Sequence, residues 1–596
     1  MTEAADRYIA GFAAQLRASG VSQVVICPGS RSTPLTVAFT GDASFRSWLH
    51  LDERSAGYFA LGLAREIGEP VALICTSGSA AANFLPAVVE AWLSRVPLVV
   101  LTADRPPELR AVGAAQTIDQ VALFGSHARW AVDMPVADGS EAVERYATRT
   151  AARAVELARG APAGPVHLNF PFREPLISNS ADGAGAATAT PTVKVEPVAS
   201  AVSGELVARC AEDFAGRRGV IVCGPESPPL PVTEIVALAV ALGWPVLADP
   251  LSGVRVGGHD LGSVVDSYDA LLRDQQFAAA VTPEVVLRFG AALTSKATNG
   301  WLVGLTEASH VVVDAAGWRD PDALATEVVR ADPEAFCSAL LVRLDDGDAT
   351  DEQWANFWTA ANAAAREAQR ATLDACDEPF EGRAGVELAG ALPDGATLVV
   401  GNSMPVRDLD SFLPALGREL RIVGTRGASG IDGVVSSAVG AAAAGEVGTS
   451  GPVALLVGDL SFFHDLNGLW ALRRHGLDLT VLLVNNNGGG IFHFLPQAEA
   501  LPDRFEEWFG TPHGLDFRGA VEMHGGSFAT LEGSGVDGGW GEALSSAIGT
   551  PGLSVLELRT ERVRNVELHQ QVWVRAHEAV RAALSDSGLD EAGARG

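Results

Sequence analysis

Cysteine is scarce in this 596-residue chain. The six residues Cys27, Cys75, Cys210, Cys223, Cys337 and Cys376 form no Cys-x-x-Cys or other metal spacing, and most lie in apolar runs. That argues against a cysteine metal centre or a disulfide framework, and for buried, reduced thiols in a cytoplasmic protein. Positive charge is also short: 43 Lys and Arg stand against 73 Asp and Glu, a net charge of −30. Nucleic acid and anionic membrane surfaces are therefore poor partners. Any anionic substrate must be met by arginines placed locally. No apolar run approaches 18 residues, so no membrane span is expected. The first residues, MTEAADRYIAGFAAQL, are acidic and amphipathic, unlike a signal peptide. No short-period repeat is present.

What remains is a well-packed composition, 47% hydrophobic and 19% charged, in a chain too long for one core. The pattern predicts an α/β protein of three doubly wound parallel-sheet domains. Residues 1–180 alternate strand and helix, with buried strands at Val24–Cys27, Val71–Cys75 and Leu98–Thr102, and Val166–Asn169 closing the sheet. A Gly-, Ala-, Ser- and Thr-rich linker follows over 181–199. A middle domain, 200–345, carries strands at Gly219–Cys223, Val246–Ala248, Val285–Phe289 and Val311–Val313. The charged patch Asp345-Asp346-Gly347-Asp348 leads into a helical connection, 346–383. The third domain spans 384–596 and opens with a strand at Thr397–Val400. The first and third domains share a general plan.

The third domain holds the most informative stretch. Val453–Val457 and Thr480–Val484 read as buried parallel strands flanking one helix, with Phe462, Leu466, Leu469 and Trp470 on its inner face and Gly476 at its stop. Asp459 and the cluster Asn485-Asn486-Asn487-Gly488-Gly489-Gly490 then fall at the carboxyl ends of neighbouring strands, where such sheets bind ligands. A carboxylate, an amide oxygen and a carbonyl in a glycine turn are hard ligands suited to Mg²⁺ holding a diphosphate. Glycines let backbone N–H groups approach phosphate, and the helix start at Ser461 adds a favourable dipole. Taken alone, two ordinary βα turns, with Asp459 capping a helix, fit as well.

Other candidates stand at strand ends. Glu53, in His50-Leu51-Asp52-Glu53-Arg54-Ser55, opens a helix and on its own reads as a first-turn acid complementing the dipole. Arg31, Arg105, Arg407 and Arg426 suit a site for polycarboxylates, since guanidinium binds carboxylate bidentately. Singly, each also reads as a solvated ion-pair partner. Gln116 could add a neutral donor. Gly401-Asn402-Ser403-Met404 suits diphosphate oxygens. Ile431 is an apolar residue in a glycine-rich turn, or a plain core isoleucine.

Asn486 follows Asp459 by 27 residues. This resembles the thiamine-diphosphate signature of Gly-Asp-Gly, a spacer and Asn-Asn, with Leu460 in place of the last Gly. The segments PGSRSTPLT, DER, TSGSAAANFLPAVVEA, LTADRPPEL, GNSMPVR, RGASGIDG, GDLSFFHDLN and VNNNGGGIF together resemble the 2-succinyl-5-enolpyruvyl-6-hydroxy-3-cyclohexene-1-carboxylate synthase family of menaquinone biosynthesis, in which the metal motif also reads GDLS. The resemblance covers the first and third domains closely and the middle one weakly.

It implies a decarboxylating carboligase that joins a succinyl carbanion equivalent from 2-oxoglutarate to isochorismate, with thiamine diphosphate and Mg²⁺ (or Mn²⁺ or Ca²⁺). An acetolactate-synthase-like enzyme is the alternative; four arginines argue against it, because pyruvate has one carboxylate. By resemblance Asp459, Asn486 and the Gly488 carbonyl bind metal, Glu53 activates the cofactor at its aminopyrimidine, and Ile431 is the wedge between its rings. Ser403, Met404, Gly458, Leu460, Ser461 and Ile491 complete the cofactor contacts. Ser30, Arg31, Arg105, Gln116, Lys296, Ser403, Arg407, Arg426, Ile491 and Phe492 line the substrate site. Ala115 stands where the family has Asn, and Ala297 where it has Arg beside Lys296. The family's sites lie between subunits, implying a homodimer at least and a homotetramer as an option.

Overall fold

The computed structural model describes residues 2–177, 192–196, 201–344, 349–350, 352–448 and 451–586. Eighteen strands among these form three six-stranded sheets. The first contains β1 (Gln23–Ile26), β2 (Arg46–Leu49), β3 (Val71–Cys75), β4 (Leu98–Asp104), β5 (Trp130–Asp133) and β6 (Pro165–Pro171). The second contains β7 (Gly219–Cys223), β8 (Val246–Ala248), β9 (Val264–Val265), β10 (Val285–Phe289), β11 (Ser309–Val313) and β12 (Glu327–Val329). The third contains β13 (Ala396–Val400), β14 (Leu420–Gly424), β15 (Val453–Gly458), β16 (Leu479–Asn485), β17 (Ser527–Thr530) and β18 (Leu553–Arg559). All pairings within the sheets are parallel. Helices cover both faces, which is why central strands such as Val-Ala-Leu-Ile-Cys and Ala-Thr-Leu-Val-Val are buried without alternation.

The first sheet runs β2-β1-β3-β4-β6-β5 and the third β14-β13-β15-β16-β18-β17, the same order. The middle sheet runs β12-β11-β10-β7-β8-β9, with its strand order reversing between β10 and β7. In the third sheet the reversal falls between β13 and β15, so the turns at Gly401 and Asp459 flank the crevice.

Three expectations need correction. Val166–Asn169 does not close the first sheet: β6 lies inside it, and the half-exposed β5 forms the edge. The run from Phe462 to His475 is not one helix. Helices Asp459–His464 and Leu469–His475 are separated by a 3-10 turn at Leu466–Gly468. The break follows from Asp465, whose buried carboxylate accepts from Ser436 N–H (2.6 Å) and Ser436 Oγ (2.9 Å). Gly468 then presses on Ser436 so closely that a Cβ would meet Ser436 Oγ at 2.4 Å. Arg407, expected at a strand end, sits in the first turn of the helix Met404–Phe412. The linker expected over 181–199 is described only at 192–196, where Gln15 exchanges hydrogen bonds with Val193. The Asp345–Asp348 patch lies outside the described residues.

The first and third domains share one core. Helices Glu53–Ile67 and Val434–Gly445 cross where both carry glycine. A Cβ on Gly62 would sit 2.0 Å from Ser437 O, and one on Gly440 2.1 Å from Phe59 O. The C-terminal helix Arg562–Asp586 packs with Glu352–Ala375 against the middle domain.

Candidate active site

The β16 turn sorts its three asparagines by hydrogen bonding. Asn485 Oδ1 accepts the Asn487 N–H (3.1 Å), and its Nδ2 donates to Glu557 (2.7 Å). Asn487, at φ 59°, accepts from the N–H groups of His513 (3.0 Å) and Gly514 (2.8 Å). Asn486 donates from Nδ2 to Glu381 Oε1 (3.0 Å), while its own Oδ1 is buried without a partner. Of the three amides, only Asn486 leaves its oxygen free.

That oxygen has fitting company. Asp459 is 2% exposed at the first turn after β15. Its Oδ1 accepts from Leu460 N–H (2.6 Å) and its Oδ2 from Gly488 N–H (3.0 Å). Asp459 therefore serves its own turn rather than capping a helix, and Gly458 occupies the cap position. Gly488 has φ 140°, and a Cβ there would meet Gly510 O at 1.9 Å, so only glycine fits. The Gly488 carbonyl accepts from Gly490 N–H (3.0 Å) and keeps a second lone pair. Among the described residues no group of three His, Cys, Asp or Glu could hold a metal. The carboxylate, amide and carbonyl oxygens of Asp459, Asn486 and Gly488 are the hard donors Mg²⁺ takes.

The rest of the cradle comes from β13 and β14. Asn402 donates to Thr425 O (2.8 Å) and Gly430 O (2.7 Å), tying the Ser403 turn to the turn that carries Ile431. Ser403 holds φ 70° ahead of the buried Met404. Ser461 Oγ donates to Ile431 O (2.9 Å), and the Ile431 side chain is 40% exposed instead of joining the core.

The four arginines fall into two pairs. Arg105 is shifted below the usual guanidinium range by burial and then by Arg31; Arg407 is shifted down by burial and then by Arg426. Carboxylates act on both pairs as well: Asp104 and Glu174 on Arg105, and Asp408, Asp410 and Asp269 on Arg407. In the first domain Arg105 bonds Ser77 Oγ, and Gln116 Nε2 donates to Ser77 O (3.0 Å). Arg31 is more committed, donating to Phe172 O (3.0 Å) and Glu174 (3.1 Å), with its Nε unpaired; Ser30 beside it is exposed. In the third domain Arg407 donates to Ser403 O (2.6 Å) and Arg426 to Asn402 Oδ1 (2.8 Å). Ile491 and Phe492 lie half-buried in the 3-10 turn Gly490–Phe494, with Phe492 edge-on to Phe509.

Lys296 is exposed at the start of the helix Lys296–Gly304. The preceding Ser295 donates to Asp269 (2.7 Å), which also accepts from Ser411 (2.6 Å) on the Arg407 helix.

Glu53 begins its helix, but Asp52 caps it, accepting from Arg54 and Ser55 N–H at 2.9 and 3.4 Å. Burial pushes the Glu53 carboxyl above its ordinary value, its own backbone N–H opposes this, and Asp52 adds to it. At the ends of β1 and β3, Cys27 is pushed up by burial and then by Glu53, and Cys75 by burial, then by Cys27 and then by Glu53. Within one chain no hydrogen bond among the described residues joins Glu53 to Asp459, Asn486 or Gly488.

Two neighbours of the cradle had no sequence signal. His513 Nε2 lies 3.1 Å from Asp459 Oδ2, outside hydrogen-bond geometry, carried there by the loop Asn487 holds. Glu381, 105 residues before Asn486, is buried; burial and then Asp408 push it up to about 7, against hydrogen bonds from Asn486 and Thr560.

The thiamine pyrophosphate enzyme families match in order: the N-terminal TPP binding domain over residues 7–123, the middle domain over 197–398 and the C-terminal TPP binding domain over 417–558. The 2-succinyl-5-enolpyruvyl-6-hydroxy-3-cyclohexene-1-carboxylate synthase of Geobacillus thermodenitrificans is 47% identical, covering 99% of this chain and 100% of its own. The enzyme of the same name from Chloroflexus aurantiacus is 48% identical, covering 98% of each. The crystal structure of benzoylformate decarboxylase from Polynucleobacter necessarius shares the fold, with a TM-score of 0.66 over 93% of this chain and 98% of its own at 17% identity. The chain belongs to the 2-succinyl-5-enolpyruvyl-6-hydroxy-3-cyclohexene-1-carboxylate synthase family of thiamine pyrophosphate enzymes.

Proposed function

We propose that this chain releases CO₂ from 2-oxoglutarate and joins the remaining succinyl unit to isochorismate, using thiamine diphosphate and a divalent metal, Mg²⁺ or in its place Mn²⁺ or Ca²⁺. The observation that carries the cofactor reading is the unpaired, buried Asn486 Oδ1 in the turn whose Gly488 N–H bonds the Asp459 carboxylate. Asp459, Asn486 and the Gly488 carbonyl would hold the metal. Ser403, Met404, Gly458, Leu460 and Ser461 would cradle the diphosphate. Ile431, with Ile491, would press on the rings. When bound, thiamine diphosphate supplies an acidic ring carbon and an electron sink for losing CO₂ from a 2-oxo acid.

Burial raises the Glu53 carboxyl, which favours its protonated form, and in that form it would hydrogen-bond an aminopyrimidine nitrogen. The pair Arg407 and Arg426, beside the cradle, would bind one substrate's carboxylates. Arg31 and Arg105, with Ser30 and Gln116, would bind the other's, and Lys296 and Phe492 would close the site. Two dicarboxylate substrates account for two cationic pairs in an acidic protein.

Family membership supports placing the complete site between subunits of a homodimer or homotetramer, in the cytoplasm. Domain limits are set at 1–180, 200–345 and 384–596, with the linker 181–199 and the helical connection 346–383 between them. The test supplies thiamine diphosphate, Mg²⁺ and each 2-oxo acid, with and without isochorismate, and follows isochorismate loss and product mass. A succinyl adduct formed at isochorismate's expense is expected. A pyruvate-derived product, or no isochorismate loss, would overturn the reading in favour of an acetolactate-type enzyme.

A further inference from the structure

The Asn486 amide can be a metal ligand only if its oxygen faces the cradle, and Glu381 determines which way it faces. Glu381 is 2% exposed and is the first residue of the helix Glu381–Ala391. One of its oxygens, Oε1, receives two donors: Asn486 Nδ2 at 3.0 Å and Thr560 Oγ1 at 2.8 Å. Turning the amide over would set the Asn486 oxygen against an oxygen that already acts as acceptor, whether or not Oε2 carries a proton. The amide therefore keeps its NH₂ on Glu381 and its buried oxygen on the opposite side.

The seat is rigid. The preceding Phe380 is buried edge-on to Phe412 and His569, with centroids 5.5 and 4.9 Å away. Gly490 leaves room for the amide, since a Cβ there would come within 2.5 Å of Asn486 Nδ2. We infer that Glu381 is a positioning residue for the metal site, orienting Asn486 by accepting its amide hydrogen so that Oδ1 faces the ion. It touches neither the ion nor the substrate. The inference rests on the metal-site reading proposed above.

Calorimetric titration of Mg²⁺ into the full-length protein with saturating thiamine diphosphate tests it, with far-UV circular dichroism of each metal-free variant as the fold control. Loss of an outer partner of a metal ligand typically weakens metal binding roughly 10–100-fold, and that loss is expected for Glu381→Ala and Glu381→Asp. The aspartate keeps the charge but withdraws the acceptor oxygen by one methylene. Glu381→Gln keeps an acceptor oxygen at full length and should bind Mg²⁺ like wild type. A purely electrostatic role predicts the reverse, with Asp retaining affinity and Gln losing it. If the alanine variant does not fold, the Asp and Gln pair still decides. Wild-type affinity in Glu381→Asp, or Gln as weak as Asp, would overturn the inference. Wild-type affinity in Asn486→Ala would instead overturn the metal-site reading on which it depends.

Discussion

Glu53→Gln should separate stability from chemistry. The substitution is isosteric, and Asp52, not Glu53, caps the helix and receives Asn467 Nδ2 at 2.8 Å. The start of the helix and its contact with the third domain are therefore untouched. Burial holds the Glu53 carboxyl above its ordinary value of 4.5. A group shifted up in the folded protein contributes stability that is fully present below its unfolded value and lost as pH rises through the folded one. Glutamine is neutral throughout. The variant should thus melt no higher than wild type below pH 4.5, and higher than wild type once the pH exceeds the folded value of Glu53. The gain is small because the residue is only half-buried.

Chemistry should move the other way. One acid–base group typically contributes about 10²–10⁴-fold, about 2.7–5.4 kcal/mol at 1.36 kcal/mol per decade. Hydrogen–deuterium exchange at the thiazolium C2 of bound cofactor, followed by NMR after acid quench, should slow by that factor while thiamine diphosphate stays bound. An unchanged exchange rate would mean that Glu53 is only a helix-start acid.

Asp459→Ala should remove metal-dependent thiamine diphosphate binding and leave the fold intact; calorimetry showing wild-type affinity would refute the ligand assignment. Arg407→Ala should lower kcat/KM by roughly 30-fold or more, since losing a buried charge contact costs about 2–5 kcal/mol. The loss should fall on one substrate more than the other, with cofactor affinity little changed. Mixing Glu53→Gln with Asp459→Ala subunits should recover some activity, and complete failure despite proven subunit exchange would count against a shared site. Gly62→Ala places a Cβ 2.0 Å from Ser437 O. It should cost about 1–3 kcal/mol or more by overpacking, seen as a lower urea midpoint; an unchanged midpoint would deny the close helix crossing.

Much of this protein was legible in the chain. Continuous apolar runs located the central strands of all three sheets, because strands covered on both faces need no alternation. Strand ends then pointed to Asp459, the Asn485–Asn487 cluster and the arginines, since parallel sheets place ligands there. The resemblance singled out Asn486, but residue chemistry alone gave no physical reason to prefer it among three adjacent asparagines. That depended on which amide oxygens other backbone N–H groups had already taken, and only Asn486 was left. Nor could it find Glu381 or His513, which reach the cradle through a distant helix and a loop held by Asn487. The broken helix after Asp459 has the same origin, because Asp465 turns to bond Ser436. Local patterning determined elements and turns, whose causes lie within a few residues. Partner choice, amide orientation and the pairing of Arg31 with Arg105 and Arg407 with Arg426 arise from atoms far apart in sequence, and tertiary packing alone decided them.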